Sequence, residues 1–145
     1  MKKLFIATLI VATFVTSAFA GPAKVNYLAL KSFSFEFKGA SDVTWTSTSE
    51  FIKANFVSDN QRMEAFYTPA GEKIGTSRGI AIDELPVKAK RAFAKKYGSY
   101  EVKEAILFEG TEENAYFINA ENETEKVIVK VFDSGDVSVF KKTKK

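Results

Sequence analysis

Residues 85–98 read LPVKAKRAFAKKYG, and this stretch decides the organisation of the chain because it predicts a strong helix between two runs of strands. Apolar residues recur at every fourth position and share one side of the helix: Leu85, Ala89, Phe93 and Tyr97. The cations lie off that side: Lys88, Lys90, Arg91, Lys95 and Lys96. Pro86 suits a first helical turn, where its missing N–H costs little, and Gly98 predicts the end of the helix.

Strand patterns occupy the sequence on both sides of this helix. Before it they begin at Val43 and continue at 50–57, 62–67 and 72–78; after it they fall at 102–109, 115–120, 126–132 and 137–140. Short segments rich in Gly, Asn, Asp and Ser separate them and predict turns. Connections this short join antiparallel neighbours, because parallel strands need a long crossover.

A second helical pattern precedes the first strands. Its apolar residues recur every three or four positions: Tyr27, Leu30, Phe33, Phe37 and Ala40. The alternation of Phe33, Phe35 and Phe37 fits a strand as well, so both interpretations stay open from the residues alone. Gly39 lies where a helix would end.

The order of these elements predicts a duplication. FSFEFKGASDV in the first half resembles FAKKYGSYEV in the second, with Phe33 and Phe93 at corresponding positions. We therefore expect an α+β fold of tandem helix-plus-antiparallel-sheet repeats, each a helix followed by about four strands, with the helices packed on one sheet face. The two units would span about 25–80 and 83–140.

The N-terminus has the three parts of a secretory signal peptide. MKKLFIATLIVATFVTSAFA begins with two lysines, continues with an apolar run and ends in Ala-Phe-Ala before Gly21. The apolar run is shorter than the roughly 20 residues that span a bilayer. We expect residues 1–20 to be removed, leaving 21–145 as a soluble periplasmic or secreted protein without membrane insertion.

Composition excludes several classes of function. Cleavage after Ala20 would remove two of the 21 basic residues and none of the 18 acidic ones, leaving a net charge of +1, which argues against nucleic-acid binding. The chain has no His and no Cys, so a Ser-His-Asp triad, a thiol nucleophile and most zinc sites are impossible. We predict no enzyme, no catalytic residues, no metal and no cofactor.

Short motifs do not change that prediction. Ser138-Val139-Phe140-Lys141 spells Ser-x-x-Lys, but it lies in a predicted strand instead of at a helix start. The segment 133–136, Asp-Ser-Gly-Asp, lacks the spacing of a calcium loop and predicts a hairpin turn. Residues 122–124 match a glycosylation acceptor only formally, within a predicted turn.

An ordered series of motifs carries a family resemblance. These are Phe-x-x-x-Phe-x-Gly-Ala-x-x-Val-x-Trp at 33–45, FIKANF at 51–56, EAFY at 64–67, and Leu-Pro at 85–86 before the lysine-rich helix. Together they resemble the small exported PepSY-like proteins, related in fold to beta-lactamase inhibitor proteins. The resemblance covers about 25–140 and implies helices packed on an antiparallel sheet. It also implies binding or inhibition of an exported protein.

Two hypotheses about function follow. The first is a non-catalytic exported protein that binds or inhibits an envelope protein or peptide through the open sheet face, since an antiparallel sheet can leave one face free. Its candidate binding residues are Phe51, Lys53, Tyr67 and Tyr116. The alternative is a small-ligand carrier with an apolar site between sheet and helices. We expect Trp45, the single Trp, to be mainly buried against the first helix.

Overall fold

The computed structural model describes residues 24–145, and the predicted signal peptide at 1–20 lies outside the described residues. Two helices and eight strands follow one another along this part of the chain. They are α1 (Tyr27–Glu36), β1 (Ser41–Ser47), β2 (Ile52–Ser58), β3 (Gln61–Tyr67), β4 (Lys73–Ile80), α2 (Val87–Tyr97), β5 (Glu101–Gly110), β6 (Asn114–Glu121), β7 (Glu125–Phe132) and β8 (Val137–Lys144).

The predicted fold class, tandem helix-plus-sheet repeats with helices packed on one sheet face, is wrong. The eight strands form one sheet in the order β1 to β8, so each strand is bonded to the next in sequence. The strand pairs β1–β2, β2–β3, β5–β6, β6–β7 and β7–β8 are antiparallel. Local patterns identify strands but do not specify pairing across a helical segment, which is why the continuity of β4 with β5 was missed.

The chain divides into two compact units, one ending at Thr76 and one beginning at Ser77. In the first unit, α1 buries Ala29 and Phe33 against residues from β2 and β3. The other buried members of this core are Ile52, Ala54, Phe56, Ala65 and Tyr67. Ile52 pairs with Tyr67 and Ala54 with Ala65, so alternate residues of both strands face the same core.

Trp45 of β1 lies at the margin of this first core. It is half-buried, and its ring packs edge to face against Phe33 with the ring centres 5.1 Å apart. The ring centre of Tyr67 lies 6.1 Å from that of Trp45. The expected packing of Trp45 against the first helix is therefore present, although part of the ring is exposed.

The turn between β3 and β4 holds the start of α1. The Asn26 side chain accepts a hydrogen bond from the Leu28 N–H, capping the helix, and donates one to the Pro69 carbonyl. Gly71, in the same turn, has φ +91°, and a Cβ there would lie 2.7 Å from the Leu28 Cβ. Only glycine fits this backbone conformation and this close approach.

In the second unit, α2 packs Ala89 and Phe93 into a larger core. The other buried members come from the preceding loop and from β5, β6 and β7: Leu85, Ala105, Leu107, Tyr116, Ile118, Ala120, Val127, Val129 and Val131. A 3₁₀ turn at Ile82–Glu84 precedes the helix, and the Glu84 carboxylate accepts a hydrogen bond from the Ala81 N–H. The bounds of α2, Val87–Tyr97, agree with the helix ends that Pro86 and Gly98 predict.

Candidate functional site

In each unit, the strand residues that alternate with the core residues lie on the side of the sheet where a binding site was predicted, and several of them are buried. In the first unit, Lys53 of β2 pairs with Phe66 of β3, and both lie on the side opposite Ile52 and Tyr67. The next pair along this side is Asn55 with Glu64. The register therefore decides which β3 residues accompany Lys53.

The loop before β2 positions Phe51. The Thr48 hydroxyl accepts hydrogen bonds from the N–H groups of Glu50 and Phe51 and donates to the Phe51 carbonyl. The Phe51 ring centre lies 6.5 Å from that of Phe66, with the rings tilted by 59°. The structure thus brings Phe51 close to the side of the sheet that carries Lys53 and Phe66.

Lys53 and Glu64 form a partly buried ion pair on this side. The distance from Lys53 Nζ to Glu64 Oε1 is 3.4 Å, and the lysine side chain is 11% exposed. Phe51 is also nearly buried, and Phe66 is fully buried. The Glu64 carboxylate therefore compensates part of the cost of burying the Lys53 ammonium.

The second unit carries the same combination of residue types on the side opposite its core. Val127, Val129 and Val131 of β7 face the core, so Ile128, Lys130 and Phe132 alternate to the other side. Phe117 of β6 pairs with Lys130 and also with Ile106 of β5. A row of neighbouring side chains therefore crosses three strands here.

Lys130 lies among aromatic rings. Its ammonium is 4.5 Å from the centre of the Phe132 ring and 5.9 Å from that of Phe117. Glu113 Oε1 lies 3.9 Å from the same nitrogen. These distances allow cation–π attraction to both rings together with a weak ion pair.

A β-bulge directs a further ring to this surface. Val129 pairs with Val139 and Ile128 with Lys141, which leaves Phe140 of β8 as the extra residue. The Phe140 ring stands edge to face on Phe117, with the ring centres 5.7 Å apart. Phe132 and Phe140 are half-buried, whereas Phe117 is almost fully buried. We call Phe117, Lys130, Phe132 and Phe140 the aromatic-lysine patch.

The other two predicted binding residues, Tyr67 and Tyr116, lie elsewhere. Each belongs to the core of its own unit, so Tyr67 faces away from Lys53. Burial, followed by the charge of Glu36, raises the pKa of the Tyr67 hydroxyl above its usual value, while Ser32 lowers it slightly. Burial also raises the pKa of Tyr116 to about 12, with a hydrogen bond to the Asp133 carboxylate as the next cause.

The aromatic-lysine patch was not predicted from the sequence. The alternation of Val127, Val129 and Val131 with Lys130 and Phe132 was a usable signal in β7. The contribution of Phe140 depends on the bulge, which shifts the register after Val139 and has no clear local marker.

Neither a metal cluster nor a membrane-spanning helix is found within 24–145. No group of three or more acidic, His or Cys side chains in this range could hold a metal ion. None of the helices in the same range is long and apolar enough to cross a membrane.

Solved structures share this architecture. A BLIP-like protein from Bacteroides fragilis superimposes with a TM-score of 0.71 at 15% identity, covering 86% of this chain and 89% of its own. The fold is that of the BLIP-like proteins. A DUF2874 family protein from Bacteroides ovatus gives a TM-score of 0.72 at 16% identity, with 84% and 89% of the two chains covered.

A third solved structure gives a similar match. It comes from Bacteroides eggerthii, is named provisionally as periplasmic, and gives a TM-score of 0.73 at 16% identity, covering 84% of this chain and 90% of its own. No protein-family model matches the sequence, and no curated protein matches it either. At these identities the BLIP-like structures establish the fold alone.

Proposed function

We propose that this BLIP-like chain is a non-catalytic exported binding protein whose ligand is another envelope protein or a peptide. The proposed contact surface lies opposite the core of the second unit, at the half-buried rings of Phe132 and Phe140. One observation carries the proposal: a lysine lies between phenylalanine rings on that side, in the aromatic-lysine patch of the second unit.

The chemistry of this patch suits protein recognition. Aromatic rings contribute large contact areas at little cost in side-chain entropy, and they dominate the binding energy of many interfaces. Phe132 and Phe140 are half-buried, so each retains ring surface that a partner can cover. The Lys130 side chain is 12% exposed, and a carboxylate of the partner would compete with Glu113 for its ammonium.

Phe51 and Lys53 remain the proposed binding residues of the first unit, although each is only 8% exposed. They lie with Phe66 and Glu64 on the side away from the core, so the same residue types recur there. Lys53 is held by Glu64, and a partner carboxylate would compete for the same ammonium. Tyr67 and Tyr116 would act only indirectly, by packing beneath the strands that carry the surface residues.

The lack of two common catalytic residue types supports the non-catalytic part of the proposal. The sequence has no His and no Cys, the two side chains that most often serve as general base or thiol nucleophile near neutral pH. The signal-peptide pattern at 1–20 supports a periplasmic or secreted location. The ordered motifs between 33 and 86 support a relationship to PepSY-like proteins.

No observation favours the alternative of a small-ligand carrier. In the first unit, the rings of Phe33, Phe37 and Phe56 fill the space beside α1, with centres 4.6–5.2 Å apart. In the second unit, Leu85, Ala89 and Phe93 pack into the core below α2. A ligand would have to displace these side chains.

Affinity capture from the envelope fraction of the source organism tests the proposed function. The immobilised chain from Gly21 is compared with Phe132→Ala and Phe140→Ala variants. We expect one defined protein to be retained by the wild type and reduced about tenfold by either substitution, because each removes a half-buried ring.

Val87→Ala is the matched control, since it truncates an exposed apolar side chain on α2. Thermal unfolding of every variant shows whether the fold is retained. Equal capture by wild type, Phe132→Ala and Phe140→Ala would contradict the proposal, as would repeated failure to retain any protein.

A further inference from the structure

The outer side of α1 is apolar, although it faces away from the core. Tyr27 is 71% exposed, Leu28 56% and Phe35 78%, whereas Ala29 and Phe33 on the inner side are buried. At 100° per residue, positions 27, 28, 31 and 35 share one arc of the helix surface. We call Tyr27, Leu28, Lys31 and Phe35 the α1 outer face.

Lysines lie within and beside this face. Lys24, Lys31 and Lys38 are spaced seven residues apart and are all exposed. The Lys38 ammonium lies 5.4 Å from the centre of the Phe35 ring. The single carboxylate of α1, that of Glu36, forms an ion pair with Lys73. Among the described residues, no ion pair neutralises these three lysines.

The other helix lacks this combination. The exposed side of α2 carries Lys88, Arg91 and Lys95 without an aromatic residue, and its one large exposed apolar side chain is Val87. α2 has five cations and no carboxylate, whereas α1 has only Lys31 and Glu36, so the exposed aromatic surface belongs to the less charged helix. Comparing the two helices therefore distinguishes binding through charge alone from binding through charge together with apolar burial.

The position of Lys31 disfavours a second copy of this chain as the occupant. It lies between Tyr27 and Phe35 on the α1 outer face, one helical turn from each. In a two-fold interface the same patch meets itself, so two Lys31 ammonium groups would approach each other. An occupant with dispersed negative charge and a deformable apolar interior suits the face better.

We propose that the α1 outer face adsorbs to an anionic lipid surface. Tyr27, Leu28 and Phe35 enter the headgroup region, while Lys24, Lys31 and Lys38 contact lipid phosphates through their flexible stems. The helix has ten residues, so it lies in the interface and does not cross the bilayer. This attachment is separate from the binding surface proposed on the strands.

Vesicle sedimentation tests this proposal with the chain from Gly21, which contains every residue of both cores. We expect binding to phosphatidylcholine vesicles that contain about one quarter phosphatidylglycerol, and much weaker binding to phosphatidylcholine alone. Raising NaCl from about 0.1 M to about 0.5 M shortens the Debye length from about 10 Å to about 4 Å and should weaken binding.

Three substitutions assign the binding to α1. Phe35→Ser should reduce the partition coefficient about tenfold through lost apolar burial. Lys31→Gln should reduce it about fivefold through one lost cation at the surface. Lys95→Gln removes the same charge from α2 and should change it less than about twofold. All three side chains are exposed, so unfolding curves should coincide.

Five results would overturn the proposal. They are absent binding to the anionic vesicles, an unchanged partition coefficient for Phe35→Ser, and equal effects of Lys31→Gln and Lys95→Gln. The fourth is a stronger association with poly-glutamate than with the vesicles, which would assign the face to an acidic protein. Concentration-dependent dimers that disappear in Phe35→Ser would likewise replace the lipid surface by a second copy.

Discussion

Phe33 of α1 and Trp45 of β1 stand edge to face, with ring centres 5.1 Å apart and ring planes at 73°. This contact makes Trp45 a reporter of helix packing in the first unit. Phe33→Ala should lower the free energy of unfolding by about 3 to 5 kcal/mol, because it removes a buried ring from the core. Trp45 emission should shift to longer wavelength in the same variant.

The matched control is Phe35→Ala, two residues along the same helix. Phe35 is exposed, so its removal should change stability by less than about 0.5 kcal/mol and leave the emission maximum unchanged. Chemical unfolding monitored by fluorescence measures both quantities. Wild-type emission as red-shifted and as quenchable as in urea would show that the Phe33–Trp45 contact is absent.

Gly71 should be intolerant of a side chain. Gly71→Ala forces a non-glycine residue to φ +91° and places its Cβ 2.9 Å from the Ala29 nitrogen. We expect a loss of about 3 kcal/mol in the free energy of unfolding. Gly39→Ala is the control, because a Cβ there meets no heavy atom within 4 Å, and it should cost less than about 0.5 kcal/mol. Similar costs for both would refute this account of the turn.

The Lys53–Glu64 pair should be worth more than an exposed ion pair. A double-mutant cycle with Lys53→Met and Glu64→Gln should give a coupling energy of about 1 to 2 kcal/mol, since both side chains are less than one fifth exposed. The exposed Asp83–Lys90 pair, tested with Asp83→Asn and Lys90→Met, should give less than about 0.5 kcal/mol. Equal coupling energies from urea titrations would contradict the role of burial.

Alkaline pH should destabilise the fold through Tyr116. Its pKa is raised from 10.0 to about 12, so the folded state retains a proton that the unfolded state releases. The contribution of the Tyr116 hydroxyl to the free energy of unfolding is fully present below pH 10 and is lost as the pH rises towards about 12. The melting temperature should therefore fall less steeply over this range in Tyr116→Phe than in the wild type.

Other groups titrate in the same range, so the comparison must be between variants. The raised pKa values of Tyr67, Lys103 and Lys142 act in the same direction and remain in Tyr116→Phe. Identical pH profiles for the wild type and Tyr116→Phe would show that the Tyr116 hydroxyl is not responsible.

Individual elements could be predicted where a local pattern determines them. The spacing of Leu85, Ala89 and Phe93, bounded by Pro86 and Gly98, was sufficient to locate α2. The hairpin between β2 and β3 follows from Asp59 and Asn60, which adopt the positive φ values that this turn requires. In residues 27–40 the alternating phenylalanines fitted a strand and the three-to-four-residue spacing fitted a helix. The structure has a helix there, which buries Ala29 and Phe33 in the core.

Features that depend on pairing between strands could not be predicted in this way. The sequence does not state that β4 is bonded to β5, and this pairing gives one continuous eight-stranded sheet where tandem helix-plus-sheet repeats were expected. The register also placed Tyr67 opposite Ile52 in the core, although the residue type of Tyr67 alone was compatible with an exposed aromatic side chain. The bulge that directs Phe140 to the aromatic-lysine patch is likewise a property of the pair β7–β8.

The last strand in the sheet order, β8, has a consequence for how the protein meets its neighbours. It carries Lys141, Lys142 and Lys144 and is bent by the bulge at Phe140. Positive charge and a bulge both discourage another chain from extending a sheet by main-chain hydrogen bonds. We expect any ligand to be recognised by side chains and not as an added ninth strand. The same features protect this end of the sheet from fibril growth at high local concentration.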